Sequence, residues 1–272
     1  MFQYAMGRAL SDRLGLPLTL DISLFRLGPQ EGRFDLPQFR LGEYRTCDWP
    51  LRVFRARNKI YRMLTAWGIR TFYYTDEPSG KFVAEALNVQ LPCLVEGYWQ
   101  HERYFASVAD QLRREFQPVN EPSVRNQDCL ARIRAAKAVA IHFRRGDYLT
   151  EPYASIHGTC PMEYYDAALS RMQARLGPDP ALFIFSDDIE WAKINVRYPL
   201  PTTFVDWNAG QAWEDLRLMS ACRGLAMANS SFSWWAGWLN PDPDKIVIAP
   251  RRWFRSPDFS NALPESPWLT AL

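Results

Sequence analysis

The sequence has almost no net charge. Its 32 Lys and Arg against 30 Asp and Glu leave +2 over 272 residues. So small an excess argues against a nucleic-acid partner. The cysteines (Cys47, Cys93, Cys129, Cys160 and Cys222) are odd in number and scattered, with no pair at metal-ligand spacing. They read as reduced thiols of a cytoplasmic protein. No apolar run lies among Arg8, Asp12 and Arg13, which predicts the absence of a secretory signal. Long uncharged stretches are scarce too. One of 18 residues, Gly224 to Pro241, contains Asn229, Ser230, Ser231, Ser233 and Asn240. Lipid would leave those polar groups unsatisfied, so this stretch predicts a buried strand, loop and helix. Internal repeats and low-complexity segments are missing.

What is present is an ordinary globular composition, 47% hydrophobic and 23% charged, long enough for one large domain or two small ones. The 11 Trp and 16 Phe exceed what a core usually needs. Aromatic rings line sugar and nucleotide sites, although most serve the core.

The second half has a regular rhythm. Strands are predicted at 138–142, 181–185, 203–205, 225–228 and 245–249. Helices are predicted at 162–176, 189–196, 210–222 and 232–239, with Asp188 capping the second. Alternation of this kind implies βαβ units and a parallel sheet. Ligands of such sheets sit beyond the carboxyl ends of the strands. Three polar pairs fall at such ends: Arg144-Arg145, Asp187-Asp188 and Ser230-Ser231. In the first half, 18–22 and 93–95 read as strands and 102–116 as a helix. Pro118 and Pro122 mark a linker near 117–126, so two α/β domains with a cleft between them are expected.

An arginine fork suits a diphosphate, giving parallel charge-assisted hydrogen bonds. Arg144 and Arg145 stand beside the flexible Gly146, and Asp147 could hold one of them; the alternative is a surface turn with an Arg–Asp pair. Ser230 and Ser231 precede a helix, where hydroxyls and free amides attract phosphate, or simply cap. Asp187 and Asp188 make a poor metal pair, because successive strand side chains point apart. The Pro243 within Asp242-Pro243-Asp244 favours a loop. Arg52, Arg55, Arg57, Lys59 and Arg62 alternate with apolar residues over 51–67. That pattern reads either as a solvated face or as a peripheral contact with the inner face of a membrane.

Together these segments resemble the bacterial α-1,2-fucosyltransferases, glycosyltransferase family 11. The resemblance runs over nearly the whole chain. The motifs are His142-Phe143-Arg144-Arg145-Gly146-Asp147, Phe185-Ser186-Asp187-Asp188 and Asn229-Ser230-Ser231-Phe232-Ser233-Trp234-Trp235. Gly97-Tyr98-Trp99-Gln100 also looks like the family. The resemblance implies an α/β fold of GT-B type, two Rossmann-like domains with a cleft between them. Residues 1–120 would form the acceptor side, 127–250 the donor domain and 251–272 a C-terminal tail.

It also implies an inverting galactoside 2-α-L-fucosyltransferase, working without metal or cofactor. The substrates would be GDP-β-L-fucose and a galactose-containing oligosaccharide or lipid-linked glycan. Arg144 would hold the β-phosphate, and His142 and Asp215 guanine or ribose. Ser230, Ser231 and Phe232 would meet the phosphates, with Arg145, Asp187 and Asp188 completing the donor site. Trp99, Gln100 and Glu102 would stand on the acceptor side. Asp147, Glu102 and a donor phosphate oxygen all remain open as the base.

The family usually opens with a strand and a Gly-Leu-Gly-Asn-Gln loop before Met-Phe-Gln-Tyr-Ala, and this sequence begins at Met1-Phe2-Gln3-Tyr4-Ala5. The expected fold therefore has its first strand and Gly-rich loop missing. The alternative function is a catalytically impaired GDP-sugar or glycan-binding protein. A transferase using another GDP-sugar is the third reading.

Overall fold

A computed structural model describes residues 1–26, 33–48, 72–75, 81–91, 93–257 and 266–272. The basic stretch 51–67 lies outside them. The chain divides into two compact units, Met1–Val119 and Asn120–Leu272.

The first unit opens with helix α1 (Phe2–Leu14), which buries Phe2, Tyr4, Met6 and Leu10. It ends at Gly15, whose φ of 64° lets its N–H and that of Leu16 close onto the last turn. Strand β1 (Thr19–Asp21) pairs in parallel with β2 (Arg45–Cys47), and β3 (Phe72–Thr75) with β4 (Cys93–Glu96). The helix expected over 102–116 is instead two 3₁₀ turns, Glu102–Tyr104 and Ala106–Val108, followed by α2 (Ala109–Glu115). Phe105 and Val108 leave helical geometry, and these breaks let Tyr104, Phe105 and Val108 all enter the core. A buried polar group ties α1 to α2. The Tyr4 hydroxyl donates to Glu115 Oε2 at 2.6 Å, and Arg8 Nη2 donates to Tyr4 at 2.9 Å.

The second unit opens with α3 (Val124–Ala135), capped by the Ser123 hydroxyl. The linker expected to reach residue 126 therefore stops before residue 124. A six-stranded, wholly parallel sheet follows. Its strands are β5 (Ala138–Phe143), β6 (Ala181–Ser186), β7 (Thr202–Phe204), β8 (Gly224–Ala226), β9 (Ile246–Ala249) and β10 (Leu269–Ala271). The order across it is β7-β6-β5-β8-β9-β10. Residues 269–271, inside the expected C-terminal tail, thus form an outer strand.

Between the strands run α4 (Tyr153–Ile156), α5 (Met162–Leu176), α6 (Ile189–Asn195), α7 (Ala212–Ser220) and α8 (Ser231–Leu239). Both faces of β5 are buried, which explains its apolar run over Ala138–Ile141. On one face Val139, Ile141, Leu182 and Ile184 pack with Leu169 and Met172 of α5. Full burial of each such side chain contributes roughly 1.5–3 kcal/mol. Gly224 is required here: a Cβ would lie 2.9 Å from Val139 Cγ2 and 3.1 Å from Met172 Sδ.

The uncharged stretch 224–241 folds as β8, a loop and α8. Trp234, Trp235 and Trp238 of α8 are buried in edge-to-face pairs at 5.1 and 5.2 Å. Part of the tryptophan excess is therefore core. Among the described residues no helix is long and apolar enough to cross a membrane.

The sheet order fixes where a ligand can sit. The chain builds outward from β5 through β6 to β7, then returns to β5's other side as β8. The connections after β5 and β8 diverge to opposite sides, leaving a crevice at their carboxyl ends.

Candidate functional site

That crevice is where the polar motifs gather. Arg144 follows the last residue of β5. Its guanidinium pairs with Asp147 Oδ1 at 2.8 Å and Asp187 Oδ2 at 3.1 Å, and is about a third exposed. Arg145 is more enclosed. Its backbone N–H donates to Asp187 Oδ1 at 2.8 Å, its Nε pairs with Asp188 Oδ2 at 3.3 Å, and its guanidinium lies 3.7 Å over the Trp191 ring. Asp188 also accepts from Trp191 N and caps α6. These bonds stitch the end of β5 to the end of β6. They also separate the two arginines: Arg145 is built into the scaffold, while Arg144 keeps an open side.

The β8 side is joined to the same place. His142 is 4% exposed, and its ring stands 5.6 Å from that of Phe232 in the first turn of α8. Burial and the charge of Arg144 push its pKa down to about 3, so the ring is neutral. Its Nδ1 is buried with no hydrogen-bond partner among the described residues. A buried polar atom left in this way costs about 1–3 kcal/mol, so the site is shaped for something more. Ser230 caps α8 by accepting from Phe232 N, and Ser231 beyond it is exposed. The helix thus presents its positive end at the crevice.

Tyr148 bridges the halves. Its ring lies 5.5 Å from the Arg144 guanidinium, and its hydroxyl donates to the Asn229 carbonyl at 3.1 Å. Its other neighbour is His157, stacked at 4.5 Å and 6°.

Asp215 belongs to a second polar group. Asn208 Nδ2 donates to its Oδ1 at 2.8 Å, while Asn126 binds Asn208 and Glu214, each at 3.0 Å. Burial first, then the charge of Glu214, raise the Asp215 carboxyl to about 7.

The first unit places its site residues unequally. Trp99 is 2% exposed, sits at φ 52° and packs edge-on against Tyr104 at 5.3 Å. It is a core residue as placed. Gln100 and Glu102 are half-buried. Tyr98, which carries no role in the sequence motif, is 67% exposed. Asn229, His157 and Tyr98 are missed by sequence reasoning. Asn229 is legible there only as a motif letter, because its partners lie far along the chain.

The glycosyl transferase family 11 model matches residues 53–269. The chain belongs to glycosyl transferase family 11. Within the family it is 39% identical over 295 residues to the O-antigen biosynthesis glycosyltransferase WbnK of Escherichia coli, covering 99% of this chain and 95% of that protein. It is 31% identical over 273 residues to an α-1,2-colitosyltransferase of Escherichia coli, covering 96% and 90%. Among solved structures, NodZ α-1,6-fucosyltransferase soaked with GDP-fucose superposes with a TM-score of 0.45 at 12% identity, covering 88% of each chain.

Proposed function

We propose that this family 11 glycosyltransferase moves L-fucose, or a close deoxy relative of it, from a GDP-sugar to a galactoside hydroxyl. The α-1,2 linkage is the one named for the colitosyltransferase. Arg144 carries the reading. It is an arginine with an open side at the switch point of a parallel sheet, resting on a tyrosine that bonds the residue before a helix start. That combination suits a diphosphate.

In the proposed reaction the bond between C1 of fucose and the β-phosphate oxygen breaks. The electron pair leaves with GDP, the acceptor oxygen bonds C1 from the opposite face, inverting it, and the proton of the acceptor hydroxyl passes to a base, for which Asp147, Glu102 and a phosphate oxygen of the donor are the candidates. Arg144 and the amides at Ser231 stabilise the charge growing on the departing diphosphate. Neither needs to reorganise, since Asp187 and Tyr148 already orient the guanidinium. His142 and Phe232 would line the nucleoside, and Asp215 would read guanine. No metal enters this scheme. The second unit would bind the donor and the first the acceptor. Five free cysteines suit a reducing compartment such as the cytoplasm.

Release of GDP from GDP-fucose, with and without lactose, tests the proposal. Release stimulated by lactose and slowed about 10²–10³-fold by Arg144→Ala is expected. Absence of release with either substrate set would overturn it. The similarity to the colitosyltransferase favours one competing donor, the 3-deoxy analogue of GDP-fucose. Running both donors side by side decides between them.

A further inference from the structure

Beside the phosphate-binding cluster lies a residue with an unusual set of partners. Asn229 is 3% exposed. Its side-chain Nδ2 donates to three backbone carbonyls: His157 at 3.3 Å, Gly158 at 3.1 Å and Trp253 at 3.1 Å. Its Oδ1 accepts from the Cys160 thiol at 3.5 Å. Its own carbonyl accepts from Tyr148 at 3.1 Å. Three carbonyls crowd one end of the amide, so that end must be the nitrogen.

These partners come from two separated stretches of chain. Residues 148–160 follow Arg144, and Trp253 follows β9. The next residue after Asn229 is Ser230, the cap of α8. One buried amide therefore holds the helix start against the segment that carries Tyr148 and His157. Tyr148, stacked on His157 at 4.5 Å, is the ring beneath Arg144. The cation and the helix start would drift apart without it.

We infer that Asn229 is a positioning residue for the donor diphosphate: through Tyr148 and His157 it fixes Arg144 relative to the N-terminus of α8. This rests on the reading of Arg144 as the diphosphate ligand. Asn229 touches no reacting atom. It acts by keeping two phosphate-binding elements, one at the end of β5 and one at the helix start after β8, in one geometry. Misplacement of such groups by about 1 Å costs up to about a hundredfold in rate.

The test is a double-mutant cycle on GDP binding, read by calorimetry. Asn229→Asp keeps the shape and the acceptor for Cys160 but sets a carboxylate oxygen against three carbonyls. Arg144→Lys keeps the charge and loses the fork. We expect Asn229→Asp alone to weaken GDP binding about 30-fold, and less than about threefold in the Arg144→Lys background, because coupled residues are non-additive.

Equal loss in both backgrounds would mean that Asn229 acts only on general stability, and would overturn the inference. Should Asn229→Asp not fold, Tyr148→Phe takes its place: it keeps the ring and deletes the hydroxyl bond to Asn229. A several-fold weaker GDP affinity is expected, and unchanged affinity overturns the inference. If the wild type binds no GDP, or binds it as well with Arg144→Lys, the reading of Arg144 fails first.

Discussion

Arg144 and Asp187 meet at 3.1 Å across the ends of β5 and β6, and Gly146 makes the meeting possible. A Cβ on residue 146 would stand 2.7 Å from Asp187 Oδ2. Asp187 is already engaged on both oxygens, by Arg144 and by the Arg145 N–H. It has no easy direction in which to yield.

Gly146→Ala should therefore push the carboxylate off Arg144 and leave the rest of the fold in place. GDP affinity is expected to fall about tenfold, the size of one charge-assisted hydrogen bond to a positioned ligand. Calorimetry at constant ionic strength measures it. The melting temperature should move by no more than a few degrees.

The two arginines should separate in their phenotypes. Arg144→Ala is expected to lower kcat/KM for GDP-fucose by about 10²–10³, as loss of a group that stabilises developing charge does. Arg145→Ala removes a partly buried ion pair and a guanidinium–indole contact, together about 1–3 kcal/mol. Its first effect should be on thermal stability, with a smaller loss in kcat/KM.

Asp215 should make stability depend on pH and, in its proposed role as the guanine reader, binding too. Its carboxyl is raised from the ordinary 3.8 to about 7. The folded chain thus keeps a proton that the unfolded chain has lost across that interval. Stability from this group is highest below the unfolded value and falls as pH climbs toward 7. A guanine ring offers N–H donors that prefer the carboxylate, so GDP affinity should rise with pH through about 7. Asp215→Asn should flatten both profiles and bind GDP more weakly. Melting curves and GDP titrations from pH 5 to about 8.5 check the signs.

In the first unit, Glu115→Ala should destabilise by about 3–5 kcal/mol. It leaves the buried Arg8 without its carboxylate and the Tyr4 hydroxyl without its acceptor. Urea titration with a matched m-value would register it.

Tyr98→Ala should raise the KM for the galactoside several-fold and leave the donor's unchanged. The ring is exposed, and the neighbouring Trp99 is held at positive φ. Strained backbone of this kind persists where a side chain must be presented. Stability should be unaffected, because the ring buries little.

The sequence made the sheet readable because parallel strands buried on both faces are written as apolar runs. Ala138–Phe143 and Ala181–Ser186 carry that signature, broken only by His142 and by the last residue Ser186. The strand ends were readable for the same reason: charge resumes abruptly at Arg144 and Asp187. Less regular elements were hidden. α1 mixes Arg8, Ser11, Asp12 and Arg13 into its turns, and Arg8 is buried by pairing rather than by being apolar. β10 is three residues long and takes its identity from β9. Trp99 entered through the family motif, and a motif does not say which of two adjacent rings turns inward; here Trp99 is buried and Tyr98 exposed. Asn229 could not be read, since its carbonyl partners at 157, 158 and 253 carry no side-chain signature.

Helix α8 buries seven of its nine residues, three of them tryptophans, while Ser231 at its start stays open. A single element is thus both a keystone of the hydrophobic interior and an edge of the crevice. Its interior end tolerates little change without loss of the fold. In its outer turn Ser231 is exposed, so a change there should cost little folding free energy and be felt first by what the crevice holds.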